Sequence, residues 1–346
     1  MNFSQTGMTE NIHYCYESMN KSCLKHVYLI TVRSPLYLIF VAVILFTVCG
    51  NLFVIISIAH FKQLHTPTNF LVLSLAVADF LLGGFIMPPS MVRSLETCWY
   101  YGDLFCKIHS STDVMLSTTS ILHLSFISID RYYAVCEPLK YKTKITVCVA
   151  LYMVIISWAV SAVIGFGMIF LELNIKGMED TYYNRFDCVG GCVLIQSEAS
   201  STISSTLSFY IPGFMMVGIY FKIFLVARRQ ARTIQGIVSQ SKSSEDGKTM
   251  TSSKTERKAA KTLGIVMGVF LSCWTPFFLC NIMDPIFNYS IPPVLLDTLV
   301  WLGYLNSTFN PLVYAFFYNW FRKALGMIVF GKIFQANSSR TRLITD

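Results

Sequence analysis

Residues Asp103–Cys136 read DLFCKIHSSTDVMLSTTSILHLSFISIDRYYAVC. Most of the stretch is apolar enough to cross a bilayer, yet it carries an acid, Asp113, well inside, and ends on Asp130-Arg131-Tyr132. Asp113 and Arg131 are eighteen residues apart, five helical turns, so they share one face at a separation of ~27 Å. That nearly matches the ~30 Å hydrocarbon core of a membrane. One helix face would hold a buried anion near one side and a buried cation near the other. Ionisable groups at such depth are costly and mark function by default.

The surrounding chain has the composition for this reading. Of 346 residues, 54% are hydrophobic and only 13% charged, outside the profile of a soluble domain. Apolar runs of spanning length recur over Leu36–Ala59, Asn69–Val92, Asp103–Cys136, Ile145–Phe170, Ser200–Ala227, Thr262–Met283 and Pro293–Phe317. The predicted fold is an all-α membrane protein, a seven-transmembrane helix bundle. A short amphipathic inner helix around Trp320-Phe321-Arg322-Lys323 follows the last span. The segments would be an outer N-terminal part (1–35), the seven-span domain (36–330, with a flexible internal loop at 228–258) and an inner tail (331–346).

Charge sets the orientation. With the N-terminus outside, only Lys21, Lys25, Arg33, Arg93, Lys107, Lys176 and Arg185 of the 27 basic residues lie on the outer side. The positive-inside bias therefore predicts an external N-terminus and an internal C-terminus. The net charge of +8 is then an inner basic surface facing anionic lipid and partners, not a nucleic-acid signature. The outer face is mildly acidic, chiefly through Glu172, Glu179, Asp180, Asp187 and Glu198, which favours approaching cations. No signal-peptide stretch precedes the first span, which must itself direct insertion. Asn2 and Asn20 head glycosylation sequons on the outer side.

Six cysteines, Cys15, Cys23, Cys98, Cys106, Cys188 and Cys192, fall outside. An even number in an oxidising compartment points to disulfides, whose 15 pairings the residues alone do not distinguish. Their spacings match no zinc pattern, so no metal is expected there.

Within the spans, Asp79 sits at mid-membrane, with Ser120, Asn306 and Asn310 of suitable type to partner it. Two readings stand: a structural hydrogen-bond hub, or a site for a small cation such as sodium, since oxygen ligands suit a hard ion. Ser204, Ser205 and Ser208 above Pro212 can serve helix packing. They can equally grip the far end of a small polar amine held by an acid. Pro276 and Pro311 each remove a backbone hydrogen bond and kink their helices, so the two ends can move differently.

Gly50-Asn51, Leu75-Ala76-Val77-Ala78-Asp79, Asp130-Arg131-Tyr132, Trp158, Cys273-Trp274-Thr275-Pro276 and Asn310-Pro311-Leu312-Val313-Tyr314 occur in order, one set per span. Together they resemble the rhodopsin-like G-protein-coupled receptors over about residues 36–330. Asp113 with Tyr304 looks like the aminergic branch. The run from Asn306 to Phe321 and the stretch His60–Asn69 are similar to the trace amine-associated receptors.

The resemblance implies a plasma-membrane receptor for volatile or trace amines that activates a stimulatory G protein and raises cyclic AMP. Many such receptors are olfactory. Arrestin and receptor kinases would be further partners. Asp113 would bind the ammonium beside Tyr304 and Trp301, with Ser117, Trp274, Phe277 and Phe278 lining the pocket. Arg131 would contact Glu256 at rest, with Tyr220 and Tyr314 taking over in the active state. The family pattern pairs Cys106 with Cys192, and implies Cys15–Cys188 and Cys23–Cys98. Some members carry a second acid on span 5 for diamines. Ser204 and Ser205 stand there in this chain, which favours a monoamine. No cysteine follows Tyr318, so the tail palmitoylation common in the wider class is absent.

Other classes fit poorly. A retinal-binding protein needs a lysine in the last span, and none lies between Pro293 and Trp320. A transporter should show paired halves with broken helices. An enzyme needs convergent catalytic groups, and the buried acids here are too far apart to act on one bond. A biogenic-amine receptor with different G-protein coupling is the nearest alternative.

Overall fold

The computed structural model describes residues 13–240, 247–317, 319–335 and 337–343, and the side chains of all but 230–240, 247–263 and 317 of these. Asn2 and the Glu256 side chain thus lie outside the described residues. Seven long helices form the bundle. Spans 1 to 4 are Ile30–His60, Pro67–Glu96, Asp103–Cys136 and Val147–Phe170. Span 5 runs through Glu198–Ser205, Thr206–Tyr210 and Ile211–Gln240. Spans 6 and 7 are Gly247–Ile286 and Pro293–Phe317. Below, "outer" denotes the end that carries the N-terminus.

The bundle is apolar on the outside and hydroxyl-rich within. Leu38, Ile39 and Phe46 of span 1 and Tyr152, Ile155 and Val163 of span 4 are exposed. Span 3 runs through the middle and buries Ser111, Thr118, Thr119, Ser120, His123 and Ser128. A membrane protein reverses the soluble pattern because lipid solvates Leu and Val, while buried hydroxyls can bond back to their own helix. Thr119 does so to the carbonyl of Met115 at 2.7 Å, and Ser128 to that of Leu124 at 2.8 Å.

Two spans widen locally. π-helical turns occupy Leu82–Ile86 and Thr206–Tyr210. Each lies just before prolines, Pro88-Pro89 and Pro212, whose missing N–H and ring bulk disrupt the regular ladder one turn upstream. The span 5 bulge carries Ser208 and so sets the direction in which that hydroxyl points. Spans 5 and 6 stay helical as far as Gln240 and from Gly247. Much of the 228–258 stretch predicted as flexible loop is therefore helix. After span 7, Asn319–Val329 forms the predicted amphipathic helix, with Phe321 and Ala324 buried and Arg322 and Lys323 exposed.

The outer face is covered by the N-terminal segment. His13–Tyr14 (β1) pairs antiparallel with Leu24–Lys25 (β2). Ser22 bridges in parallel to Val189 of the loop after span 4, and Asn20 is exposed at the hairpin turn.

The disulfides correct the expected pairing. Cys106–Cys192 is present as predicted, but the others are Cys15–Cys98 and Cys23–Cys188, not Cys15–Cys188 and Cys23–Cys98. The hairpin explains the exchange. Cys23 donates its N–H to Val189 O at 3.0 Å, which sets it beside Cys188. Cys15, across the hairpin, faces Cys98, whose neighbour Trp99 donates to Gly190 O at 2.8 Å. Gly190 has φ +89, and a Cβ there would lie 2.8 Å from Cys15 Cβ, so only glycine fits this crossing. Either pairing staples the segment over the bundle. Non-reducing peptide mapping should recover Cys15 linked to Cys98 and Cys23 linked to Cys188; the opposite linkage would show that the hairpin docks differently.

Candidate functional site

Asp113 stands on the inward face of span 3, half-buried. Tyr304 of span 7 donates to its Oδ2 at 2.6 Å, and Ser117, one turn below, to its Oδ1 at 3.3 Å. Both carboxylate oxygens are thus oriented. Among the described residues, no ion pair reaches Asp113. Arg93 of span 2 is committed elsewhere, to Asp297 at 3.7 Å and to the carbonyl of Cys192 at 3.3 Å. A carboxylate oriented by two hydroxyls and without an ion pair among the described residues can accept a cation.

Aromatic side chains gather on spans 6 and 7. Trp301 stacks on Phe40 with centroids 4.0 Å apart, meets Tyr304 edge-on at 5.4 Å, and donates its indole N–H to Ser94 at 3.0 Å. Trp274, Phe277 and Phe278 form a cluster on span 6, and Phe278 stacks on Phe209 of span 5 at 4.6 Å. The predicted serines are present but engaged. Ser208 accepts from Thr118 at 3.2 Å, Ser204 from Gln196 at 3.2 Å, and Ser205 from Asn281 at 2.9 Å. Sequence reasoning missed Gln196 and Asn281. A lone Gln in a loop and a lone Asn in a helix carry no signal until the fold sets them together.

Deeper in the bundle Asp79 is fully buried. It accepts from Ser120 at 3.0 Å, Ser307 at 2.7 Å and Asn310 at 2.7 Å. Asn306 is not among these donors; its Nδ2 is buried without a hydrogen-bond partner, and Ser307 takes the predicted place. The helix turns the two neighbours about 100° apart, so only one faces Asp79.

At the inner end Asp130 is fully buried and accepts from Arg131 Nε at 2.8 Å, Thr68 at 2.9 Å and Tyr141 at 3.0 Å. Arg131 also bonds Thr68. Tyr141 lies on a short helix, Pro138–Lys144, outside the spans; burial pushes its phenol up, so it stays a donor at neutral pH. Arg131, Tyr220 and Tyr314 line one cavity of about 270 Å³ between spans 2, 3, 5, 6 and 7. Of the predicted switch residues, Arg131, Tyr220 and Tyr314 meet there with Asp130 bonded to Arg131, Asn310 bonds Asp79 deeper in the bundle, and the Glu256 side chain is not described. Pro276 and Pro311 lie inside spans 6 and 7 as expected.

A buried anion near one end, an arginine latch at the other and seven helices between them form one continuous device. The model of the 7 transmembrane receptor (rhodopsin family) matches residues 50–314. The chain belongs to that family. Trace amine-associated receptor 1 of Macaca mulatta is 58% identical over 96% of this chain and 98% of its own length. The human protein of the same name is 57% identical over the same shares, and trace amine-associated receptor 4 of Mus musculus 50% over 99% of both chains. This chain is a multi-pass membrane receptor of the trace amine-associated branch.

Proposed function

We propose that this receptor recognises small protonated amines, primary monoamines in preference to diamines. It would lie in the plasma membrane with its N-terminus outside and signal through a stimulatory G protein to cyclic AMP. The observation that carries this reading is Asp113, with both oxygens oriented by Tyr304 and Ser117 and no ion pair to it among the described residues. An ammonium supplies the missing charge, and the faces of Trp274, Phe277 and Trp301 suit it or its apolar tail. The names of the relatives point the same way. Span 5 offers serines where a second ammonium would need an acid, which argues against diamines.

Ligand contact with the Trp274–Phe277–Phe278 cluster would bias span 6 about Pro276, and the cavity beside Arg131 would widen to admit the G protein. Arrestin would use the same cavity after receptor kinases act. Asp79 would hold a small monovalent cation once the hydroxyls of Ser120 and Ser307 rotate to present oxygen.

A panel of aliphatic, aromatic and polyamine ligands tests the proposal by cyclic-AMP production in transfected cells. Primary monoamines should raise it. Silence towards every amine at verified surface expression would refute the reading, and a fall in cyclic AMP would move the coupling to another G protein. Thr68→Val removes a contact of both Asp130 and Arg131 without adding bulk. It should raise ligand-independent cyclic AMP severalfold, because a hydrogen bond to a charged group contributes about 1.5–3 kcal/mol to the state that makes it. Unchanged basal signal at matched expression would show that the latch does not hold the resting state.

A further inference from the structure

We propose that the C-terminal segment is a clasp docked on the inner end of span 1, and that phosphorylation of Ser338 by a basophilic Ser/Thr kinase releases it. The inference does not depend on which ligand the receptor takes.

Chain ends are poorly ordered unless something ties them down. Here the tie is a second small core at the inner end of the bundle. Gly331 and Asn337 take positive φ, +66 and +64, in the left-handed region that Gly and Asn tolerate best, and turn the chain back after the helix Asn319–Val329. Ser338–Arg340 makes one short turn. Leu343 then lies only 1% exposed, in one apolar cluster with Phe61 and Leu64 of the first inner loop and Phe321 and Ala324 of the amphipathic helix. Its backbone N–H donates to Gln63 Oε1 at 2.8 Å. Apolar burial and a hydrogen bond hold the same residue, which offsets the entropy lost by ordering the segment before it.

Ser338 is the polar half of the clasp. It is 7% exposed, and its Oγ lies 2.6 Å from Ile333 O and 3.0 Å from His60 Nε2. A carbonyl can only accept, so the one hydroxyl proton goes to Ile333 O and His60 donates from Nε2. In the kinase reaction Oγ bonds the terminal phosphorus of ATP, the bond from that phosphorus to the ADP oxygen breaks, and the hydroxyl proton passes to a base of the kinase. The phosphoserine has no proton left for Ile333 O, and it sets a charge of about −1.5 to −2 against that carbonyl in a site closed to water. The docked geometry cannot hold it, so the segment leaves and takes Leu343 along. Exposed Arg340 and Arg342 follow Ser338 in sequence and complement an acidic kinase groove. Docking in turn shields Ser338, so the kinase acts on the undocked state and traps it.

Hydrogen-exchange mass spectrometry of the full-length receptor in lipid nanodiscs tests this on the peptide over 337–343. In the wild type its amides should exchange about tenfold more slowly than in the same peptide free in solution. Ser338→Asp should abolish that protection, and Leu343→Ser or Gln63→Ala, on the two sides of the contact, should do the same without adding charge. With Ser339 and Thr341 replaced by alanine, protein kinase C and ATP should phosphorylate Ser338 severalfold faster in Leu343→Ser than in the otherwise identical receptor. A wild-type segment that exchanges like the free peptide overturns the docked clasp. Protection that survives Ser338→Asp overturns the release. Phosphate incorporation that is absent, or equal in the two receptors, overturns the gating by docking.

Discussion

Asp113→Asn, displayed at the surface at wild-type density, loses potency for primary amines by about two orders of magnitude or more, as expected when one partner of a desolvated charge pair is removed. Asparagine keeps the size of the side chain, and its Oδ1 can still accept from Tyr304 or Ser117, so the packing of Trp301 on Phe40 and Tyr304 has no reason to change. What disappears is the negative charge that the ammonium must find after leaving water. Basal cyclic AMP should stay near wild type, because the Asp130–Arg131–Thr68 latch lies at the opposite end of span 3. The readout is a cyclic-AMP dose–response for an agonist of the intact receptor, with surface density measured on the same cells. Unshifted potency would remove Asp113 from the binding event.

The second large effect concerns assembly. Spans 3 and 4 touch backbone to side at Gly165, where an added Cβ would lie 2.5 Å from Ser111 O and 3.0 Å from Met115 N. Both are backbone atoms of a helix that is held on every side, so neither can give way. Gly165→Val should force the helices apart, and overpacking of this kind costs about 1–3 kcal/mol or more. Close backbone approach through small residues is a main source of helix association where lipid removes the hydrophobic drive. Gly167, two residues on, has nothing within 4 Å of its added Cβ and serves as the internal control. Flow cytometry of tagged receptors should show Gly165→Val retained inside the cell and Gly167→Val at the surface. Equal surface levels would mean that the span 3–span 4 contact is looser than described.

The number of spans, the central place of Asp103–Cys136 and the shared face of Asp113 and Arg131 all follow from the amino-acid order, because apolar length and helical period are local properties. That Asp79 and Asp130 must each find partners follows from the residues too, since a charge at membrane depth is costly alone, while Tyr304 is singled out only by the family resemblance. Partner choice does not. Ser307 rather than Asn306 bonds Asp79, because the rotation of span 7 decides which neighbour faces inward. Cys15 pairs with Cys98 because a bridge from Ser22 to Val189 seats the hairpin in one register, and no count of thiols contains that register. Gln196 and Asn281 meet 85 residues apart in sequence, and Ser204 accepts from the first and Ser205 from the second. Span length, charge bias and motif order are one-dimensional properties. Which hydrogen-bonding groups are already satisfied is a property of three-dimensional proximity.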